Sequence, residues 1–200
     1  MKGTATIVMA THNDGKIREF RSVLEPLGYR VLSVRELMPS LAEPEETGLT
    51  FMENASLKAA YYMKHTGLPC LADDSGLIVD ALDGRPGVFS ARYAGEDCDD
   101  EKNNRKLIRE LAHVPYEKRT ASYACVLVLI RPDGSKETAE GRCDGIVRDV
   151  YAGAGGFGYD PLFYLPQLGK TMAELSLAEK NQISHRGRAL RQLADRLSHE

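Results

Sequence analysis

Two adjacent carboxylates, Asp73 and Asp74, stand in the stretch Leu71-Ala-Asp-Asp-Ser-Gly-Leu-Ile-Val-Asp80, with apolar residues on both sides. Charges of this kind are costly to bury unless they are paired, hydrogen-bonded or bound to a metal. The apolar flanks place the pair where a strand ends inside the protein rather than on a solvated loop. Two more carboxylates, Glu45 and Glu46, lie in a polar segment upstream. Hard oxygen ligands suit Mg²⁺ or Mn²⁺, which keep coordination places for water and phosphate. A matching anion site is offered by Thr11-His-Asn-Asp-Gly-Lys16, where a polar turn between a strand and a helix sets backbone N–H groups and Lys16 at a helix N-terminus. It lacks the G-x-x-x-x-G-K-[ST] spacing of a Walker loop. Lys180, His185 and Arg186 form a C-terminal set able to clamp a base or a phosphate tail. No Ser, His or Cys arrangement calls for covalent catalysis, so a metal-activated water is the chemistry these residue types fit best.

Each feature also has a plain structural reading. Asp-Asp pairs are commoner in solvated turns. Glycine clusters mark turns generally. Ser184 before His185 and Arg186 reads equally as a helix N-cap, and Lys16 as a surface lysine.

The elements that must position these groups follow from periodicity. Thr4–Ala10 reads as a buried strand, and Ile17, Phe20, Val23 and Leu24 recur at helical spacing after the turn. Pro26-Leu-Gly-Tyr29 ends that helix, and Arg30–Val34 reads as a short strand. Residues 36–50 are polar and irregular. Phe51–His65 favours a helix, with Thr50 as N-cap, Glu53 as its capping-box partner and Gly67 as the stop. Leu68–Ala72 leads into the carboxylates, and Leu77–Leu82 reads as a continuing strand before a Gly84-Arg-Pro-Gly87 turn. Asp99–Leu111 is an amphipathic helix. Ala121–Arg131 and Ser135–Asp144 pair across Pro132-Asp-Gly134, which implies an antiparallel part of the sheet. Gly153-Ala-Gly-Gly-Phe-Gly-Tyr-Asp-Pro161 is a loop whose backbone can approach a ligand closely. Ala173–Gln182 begins a helical stretch, and Ser184–Leu197 is a basic amphipathic helix.

Composition narrows the class. A chain of 200 residues with net charge −3 offers no electrostatic reason to bind a polymeric nucleic acid or an anionic membrane. One domain, 1–200, is expected. Its longest apolar run, Ala124–Ile130, falls far short of the ~20 residues that a bilayer needs. The first ten residues lack the apolar length and cleavage site of a signal peptide. Cys70, Cys98, Cys125 and Cys143 show no C-x-x-C spacing, so reduced thiols in a cytoplasmic protein are expected.

Six motifs occur in order: Thr11-x-Asn13-x-x-Lys16, Glu45-Glu-Thr-Gly-x-Thr-Phe-x-Glu-Asn-Ala55, Ala72-Asp-Asp-Ser-Gly-Leu77, Pro86-Gly-Val-Phe-Ser-Ala-Arg-Tyr-Ala-Gly95, Gly156-Phe-Gly-Tyr-Asp-Pro161 and Ser184-His-Arg-Gly187. Together they span nearly the whole chain, which resembles the inosine triphosphate pyrophosphatase family, in particular its bacterial-type dITP/XTP pyrophosphatases. Residue 12, a variable slot, is His. The resemblance implies an elongated, two-lobed α/β protein with a long central mixed β-sheet flanked by helices, a cleft between the lobes, and a homodimer. It implies hydrolysis of ITP, dITP and XTP to the monophosphate and pyrophosphate.

Carried over by position, Thr11, His12, Asn13, Asp14, Gly15 and Lys16 would bind the triphosphate, with Lys16 its main cation. Glu46 and Asp74 would ligate Mg²⁺, for which Mn²⁺ is a substitute. Asp74 would also act as the base toward the attacking water. Asp73, Glu45 and Glu53 are close reserves. Ser75 would touch substrate, and Phe157, Gly158, Tyr159, Asp160, Lys180, His185 and Arg186 would hold base and sugar–phosphate. A donor such as Arg186 or a backbone N–H would reward the purine O6, and Phe157 or Tyr159 would stack. Two other readings stand beside this one: a nucleotide-binding or RNA-associated protein that does not hydrolyse, and a related pyrophosphatase for modified pyrimidines or methylated nucleotides. The carboxylates speak against the binder, since extra negative charge does not help hold polyphosphate without a metal.

Overall fold

The structure, a computed structural model, describes residues 5–198. Thr4, expected to open the first strand, lies outside them. Among the described residues seven strands form one mixed sheet: β1 (Thr6–Met9), β2 (Arg30–Ser33), β3 (Cys70–Val79), β4 (Thr120–Ile130), β5 (Lys136–Val147), β6 (Phe163–Leu165) and β7 (Lys170–Thr171). Their order is β2-β1-β3-β4-β5-β6-β7. Among the described residues six α-helices flank them: α1 (Asp14–Leu24), α2 (Val34–Leu37), α3 (Phe51–Thr66), α4 (Asp100–Glu110), α5 (Leu177–Ile183) and α6 (His185–Leu197). Two compact units share the chain, and β3, β4 and β5 contribute residues to both.

The first unit comprises 1–74, 125–141 and 186–200. Here β1 pairs in parallel with β2 (Thr6↔Arg30) and with β3 (Met9↔Leu71). Parallel neighbours need crossovers, and α1 and α3 supply them on opposite faces of the sheet. One face packs Ile7, Met9, Leu71 and Leu127 with Phe20 and Leu24 of α1 and Ala189, Leu190 and Leu193 of α6. On the other, Val8, Ala10, Cys70, Ala72 and Val126 pack with Ala55, Ala59 and Tyr62 of α3. The alternation of odd and even residues between the two faces is the period of two of a strand buried on both sides. Because the chain leaves β1 toward β2 on one side and reaches β3 on the other, the crevice beyond the end of β1 is a topological switch point, where open α/β sheets bind ligands.

The second unit comprises 75–124 and 142–185. Its core gathers Leu77, Val79, Leu107, Leu111, Tyr123, Leu162, Phe163 and Met172. Here β6 pairs antiparallel with β5 (Ile146↔Tyr164) and with β7 (Tyr164↔Thr171).

Local signals set most boundaries. Thr50 and Glu53 form the expected capping box, and Gly67 ends α3 in the left-handed conformation (φ 65°). Asn13 caps α1, and Asp99 caps α4. Two expectations change. Residues 34–37, within the stretch read as strand end and irregular segment, form α2, capped by Ser33 with Glu36. The strand expected over Leu77–Leu82 is instead the second half of β3, which ends at Val79 before a 3₁₀ turn over Asp80–Leu82. Replacing Thr50 by Ala removes the cap of α3 and is expected to lower stability by about 1 kcal/mol. Urea unfolding will show it as a lower midpoint at unchanged slope.

Candidate active site

Asp73 and Asp74 lie within β3, not at its end. Successive strand residues point to opposite faces, so the two carboxylates meet different partners. Asp73 is 1% exposed and faces α1 and α6, where its Oδ1 pairs with Lys16 Nζ and its Oδ2 accepts from Arg186 Nε at 3.1 Å. The Cys125 thiol of β4 donates to the same Oδ2 at 3.1 Å. Arg186 is held in turn by Glu19 of α1, Nη1 to Oε2 2.6 Å. Burial pushes the Asp73 carboxyl up, but the charges of Arg186 and then Lys16 outweigh it and hold it well below the usual carboxylate range.

On the other face Asp74 meets α3. Lys58 Nζ donates to Asp74 Oδ1 at 3.2 Å and to Glu46 Oε1 at 2.8 Å. Burial alone depresses Lys58, yet Asp74 and Glu46 leave it raised. Asp74 is itself raised: burial dominates, Lys58 and Lys16 pull it down, and Glu46 and Asp73 push it up. Its Oδ2 is buried with no hydrogen-bond partner among the described residues. Such an atom costs about 1–3 kcal/mol and is characteristic of a site that receives something. Glu46 is brought here by a close approach, Gly48 N donating to Asn54 Oδ1 at 2.8 Å. A Cβ on Gly48 would lie 2.6 Å from that oxygen.

These two carboxylates are the residues able to hold a divalent cation. No group of three or more His, Cys, Asp or Glu among the described residues converges as a metal site. Mg²⁺ is commonly bound by one or two carboxylates with water and substrate phosphate filling the rest, and a pair with an idle buried oxygen fits it. Glu45 is exposed. Glu53, close to Glu46 in its motif, uses its carboxylate on the Leu49 and Thr50 N–H groups (2.8 and 3.1 Å), so it serves the helix cap instead.

The turn after β1 is closed by two short-range hydrogen bonds. Asn13 N donates to Thr11 Oγ1 (3.2 Å), and Lys16 N donates to Asn13 Oδ1 (3.0 Å). His12 is tied by its ring to Glu43 and by its carbonyl to Arg35 Nη2 at 2.8 Å. Asp14 and Gly15 open α1, and Arg35 Nη1 stands 3.7 Å from Asp14 Oδ1. Lys16 thus leaves the helix N-terminus with its ammonium on Asp73.

A second cluster lies in the other unit, with Ser75, half-buried on β3, in the same unit. Phe157 is half-buried beneath Lys180, whose Nζ is 4.6 Å from the ring centroid. Asp160 Oδ2 accepts from Lys180 Nζ (2.8 Å) and from Phe157 N (3.1 Å). Gly156 is required at its position, since φ is +74° and a Cβ would sit 2.1 Å from that oxygen. Tyr159 donates its hydroxyl to Ser90 O at 2.7 Å and is buried. His185 is stacked on Tyr123 at 4.6 Å.

Arg186, expected to help hold base and sugar–phosphate, has a side chain that is 2% exposed and engaged by two buried carboxylates, so it also supports Asp73. Lys58, Glu19 and Cys125 carry no motif that singles them out. The signal for Lys58 is nonetheless present, because it falls with Asn54, Ala55, Ala59 and Tyr62 on the buried stripe of α3, where a charge needs a partner. Glu19 likewise interrupts the buried face of α1 between Ile17 and Phe20. Asp73→Asn is expected to destabilise the metal-free protein by about 3 kcal/mol at pH 7, since it leaves Arg186 short of its counter-charge. The native carboxyl lies below its unfolded value, so its stabilisation is complete above the unfolded value of about 4 and fades as pH falls from there. Urea unfolding at pH 7 and pH 3 should therefore show the gap between the two proteins narrowing in acid.

The Ham1 family model matches residues 7–196. A protein of Geobacter sulfurreducens called dITP/XTP pyrophosphatase is 53% identical over 191 residues, covering 96% of each chain. Among solved structures, the Staphylococcus aureus Ham1 protein is 44% identical with a TM-score of 0.85, covering 97% of this chain and 98% of that one. A HAM1 protein of Coxiella burnetii is 41% identical with a TM-score of 0.87, covering 98% of this chain and 100% of that one. The mixed sheet, the buried aspartates and this full-length likeness have one conclusion: the chain belongs to the Ham1 family.

Proposed function

We propose that the chain hydrolyses non-standard purine nucleoside triphosphates, ITP, dITP and XTP, to the monophosphate and pyrophosphate, and so clears them before they enter DNA or RNA. The observation that carries the chemistry is Asp74: a buried carboxylate, raised in pKa, with one oxygen engaged by Lys58 and the other idle. The relatives' printed activity supports the substrate class.

In this reading the whole chain, 1–200, works as one pyrophosphohydrolase domain. Thr11, His12, Asn13, Asp14, Gly15 and Lys16 receive the triphosphate, and Lys16, three-donor and already directed by Asp73, neutralises charge on the leaving pyrophosphate. Asp74 and Glu46 hold Mg²⁺, with Mn²⁺ as a substitute. When bound, the ion supplies positive charge to the phosphates and lowers the pKa of a coordinated water. Asp74 accepts the proton of the water that attacks the α-phosphorus, and the α–β bridging oxygen departs with pyrophosphate. Lys58 keeps Asp74 and Glu46 together, while Arg186 and Glu19 hold Asp73 in place. Phe157 stacks on the purine, Asp160 and Lys180 fix that ring, and Ser75, Gly158, Tyr159, His185 and Arg186 complete the nucleoside contacts.

A homodimer in the cytoplasm, acting on free nucleotides and not on polymeric nucleic acid or membranes, completes the proposal. Among the described residues no helix is long and apolar enough to cross a membrane.

One assay tests the assignment. With Mg²⁺ and a panel of ITP, dITP, XTP, GTP, ATP and modified pyrimidine triphosphates, pyrophosphate should appear from the first three. Orthophosphate as first product, or turnover of the pyrimidines alone, would sink it. Asp74→Asn should lower kcat by about a thousandfold, in the range of a lost general base, at unchanged circular dichroism. Lys16→Ala should act mainly on binding, raising KM for ITP by roughly tenfold or more through loss of a charge-assisted contact. Unchanged KM and kcat would remove Lys16 from the cradle.

A further inference from the structure

The loop that carries Phe157 has neither strand nor helix to hold it. Its shape is imposed by side chains of its own unit, which hold both the N–H and the C=O of one residue. Gly158 N donates to Asp100 Oδ2 at 2.7 Å, while Gly158 O accepts from Asn104 Nδ2 at 3.0 Å. Asp100 and Asn104 are four residues apart on α4, the spacing that puts two side chains on one helix face. The neighbouring Asn103 secures the turn before α4, its Oδ1 accepting from Ala94 N (2.7 Å) and its Nδ2 donating to Ala91 O (2.8 Å). Tyr159 closes the circuit through Ser90 O. Helix, turn and loop are thereby linked in one hydrogen-bonded ring.

Asn104 is the member of this ring that packing does not explain. It is 3% exposed, and its Oδ1 is buried with no hydrogen-bond partner among the described residues. An apolar side chain of similar size would fill the place without that desolvation penalty. What it would lack is a donor for the Gly158 carbonyl. Only the amide nitrogen can donate to a carbonyl, so the orientation of the side chain is set by chemistry. On the other side of Phe157, Asp160 and Lys180 hold the ring and its N–H. The ring therefore sits between two fixed points, and removing either lets it drift.

We propose that Asn104, assisted by Asp100, is a positioning residue for base recognition: by clamping the Gly158 backbone on both sides of its Cα, the two pre-set Phe157 to receive a purine. The proposal rests on the reading of Phe157 as the base platform. A base bound against a pre-set ring does not have to order the loop first, so the clamp acts on nucleoside affinity and leaves the phosphate end alone.

The test compares wild type with Asn104→Leu and with Asp100→Ala, the latter an exposed residue whose loss spares the core. Pyrophosphate release from ITP gives KM and kcat. Inhibition by tripolyphosphate, which has the phosphates and no base, reports the other end of the site. Asn104→Leu is expected to raise KM for ITP about tenfold, with kcat within about threefold and tripolyphosphate inhibition unchanged. Asp100→Ala should move the same way by a smaller factor, and it carries the test alone if Asn104→Leu does not fold. Unchanged KM in both, or tripolyphosphate inhibition that weakens in step with KM, overturns the clamp. If wild type releases no pyrophosphate from ITP, the parent reading fails separately. Calorimetry with inosine monophosphate on wild type and variants then decides whether the clamp exists: weaker binding by the variants upholds it, and equal binding or none ends it.

Discussion

Two like charges at consecutive positions of a buried strand are the constraint around which the first unit is arranged. The pleat of β3 separates them, sending Asp73 toward α1 and α6 and Asp74 toward α3. Each face must then provide its own compensation, and the two faces do so unequally. Asp73 receives two cations and a thiol and is held fully ionised. Asp74 receives Lys58, which it shares with Glu46, and keeps an idle oxygen. The inequality gives two identical side chains different surroundings, one fully engaged by cations and one with an oxygen left over.

The anchor has its own chain of support. Lys16 and Glu19 lie three apart on α1, so both reach the Asp73–Arg186 pair from one helix. With Asp73, Arg186 and Glu19 all nearly fully buried, the arrangement holds only while every member is present. The ammonium of Lys16 is thereby held on a rigid framework and not left on a flexible surface chain, and a charge held this way need not reorganise when a ligand meets it.

Much of this is legible from residue types and spacing. The capping boxes, the glycine stops, the alternation of the buried strands and the turn before α1 are local codes, read over three to eight residues. Continuation of β3 through Asp73 and Asp74 is not, because a strand crosses two carboxylates only when cations from distant segments meet it there. Lys58 and Glu19 are likewise hidden: a charge on an apolar stripe signals a need for a partner but does not name one. The role of Arg186 depends on the same contacts, its order in a motif being silent about which way the guanidinium turns.

The sequence by itself determined most element types, the polar turn at the head of α1 and the presence of surplus acid in an apolar setting. Those depend on backbone preferences and short-range periodicity. Only the tertiary structure decided which aspartate is fully paired and which keeps a buried oxygen without a partner among the described residues. The reason is electrostatic: in a low-dielectric interior the state of a carboxyl is set by the few charges within hydrogen-bonding distance, and here those come from Lys16, Lys58 and Arg186, up to 113 residues away from Asp73 along the chain.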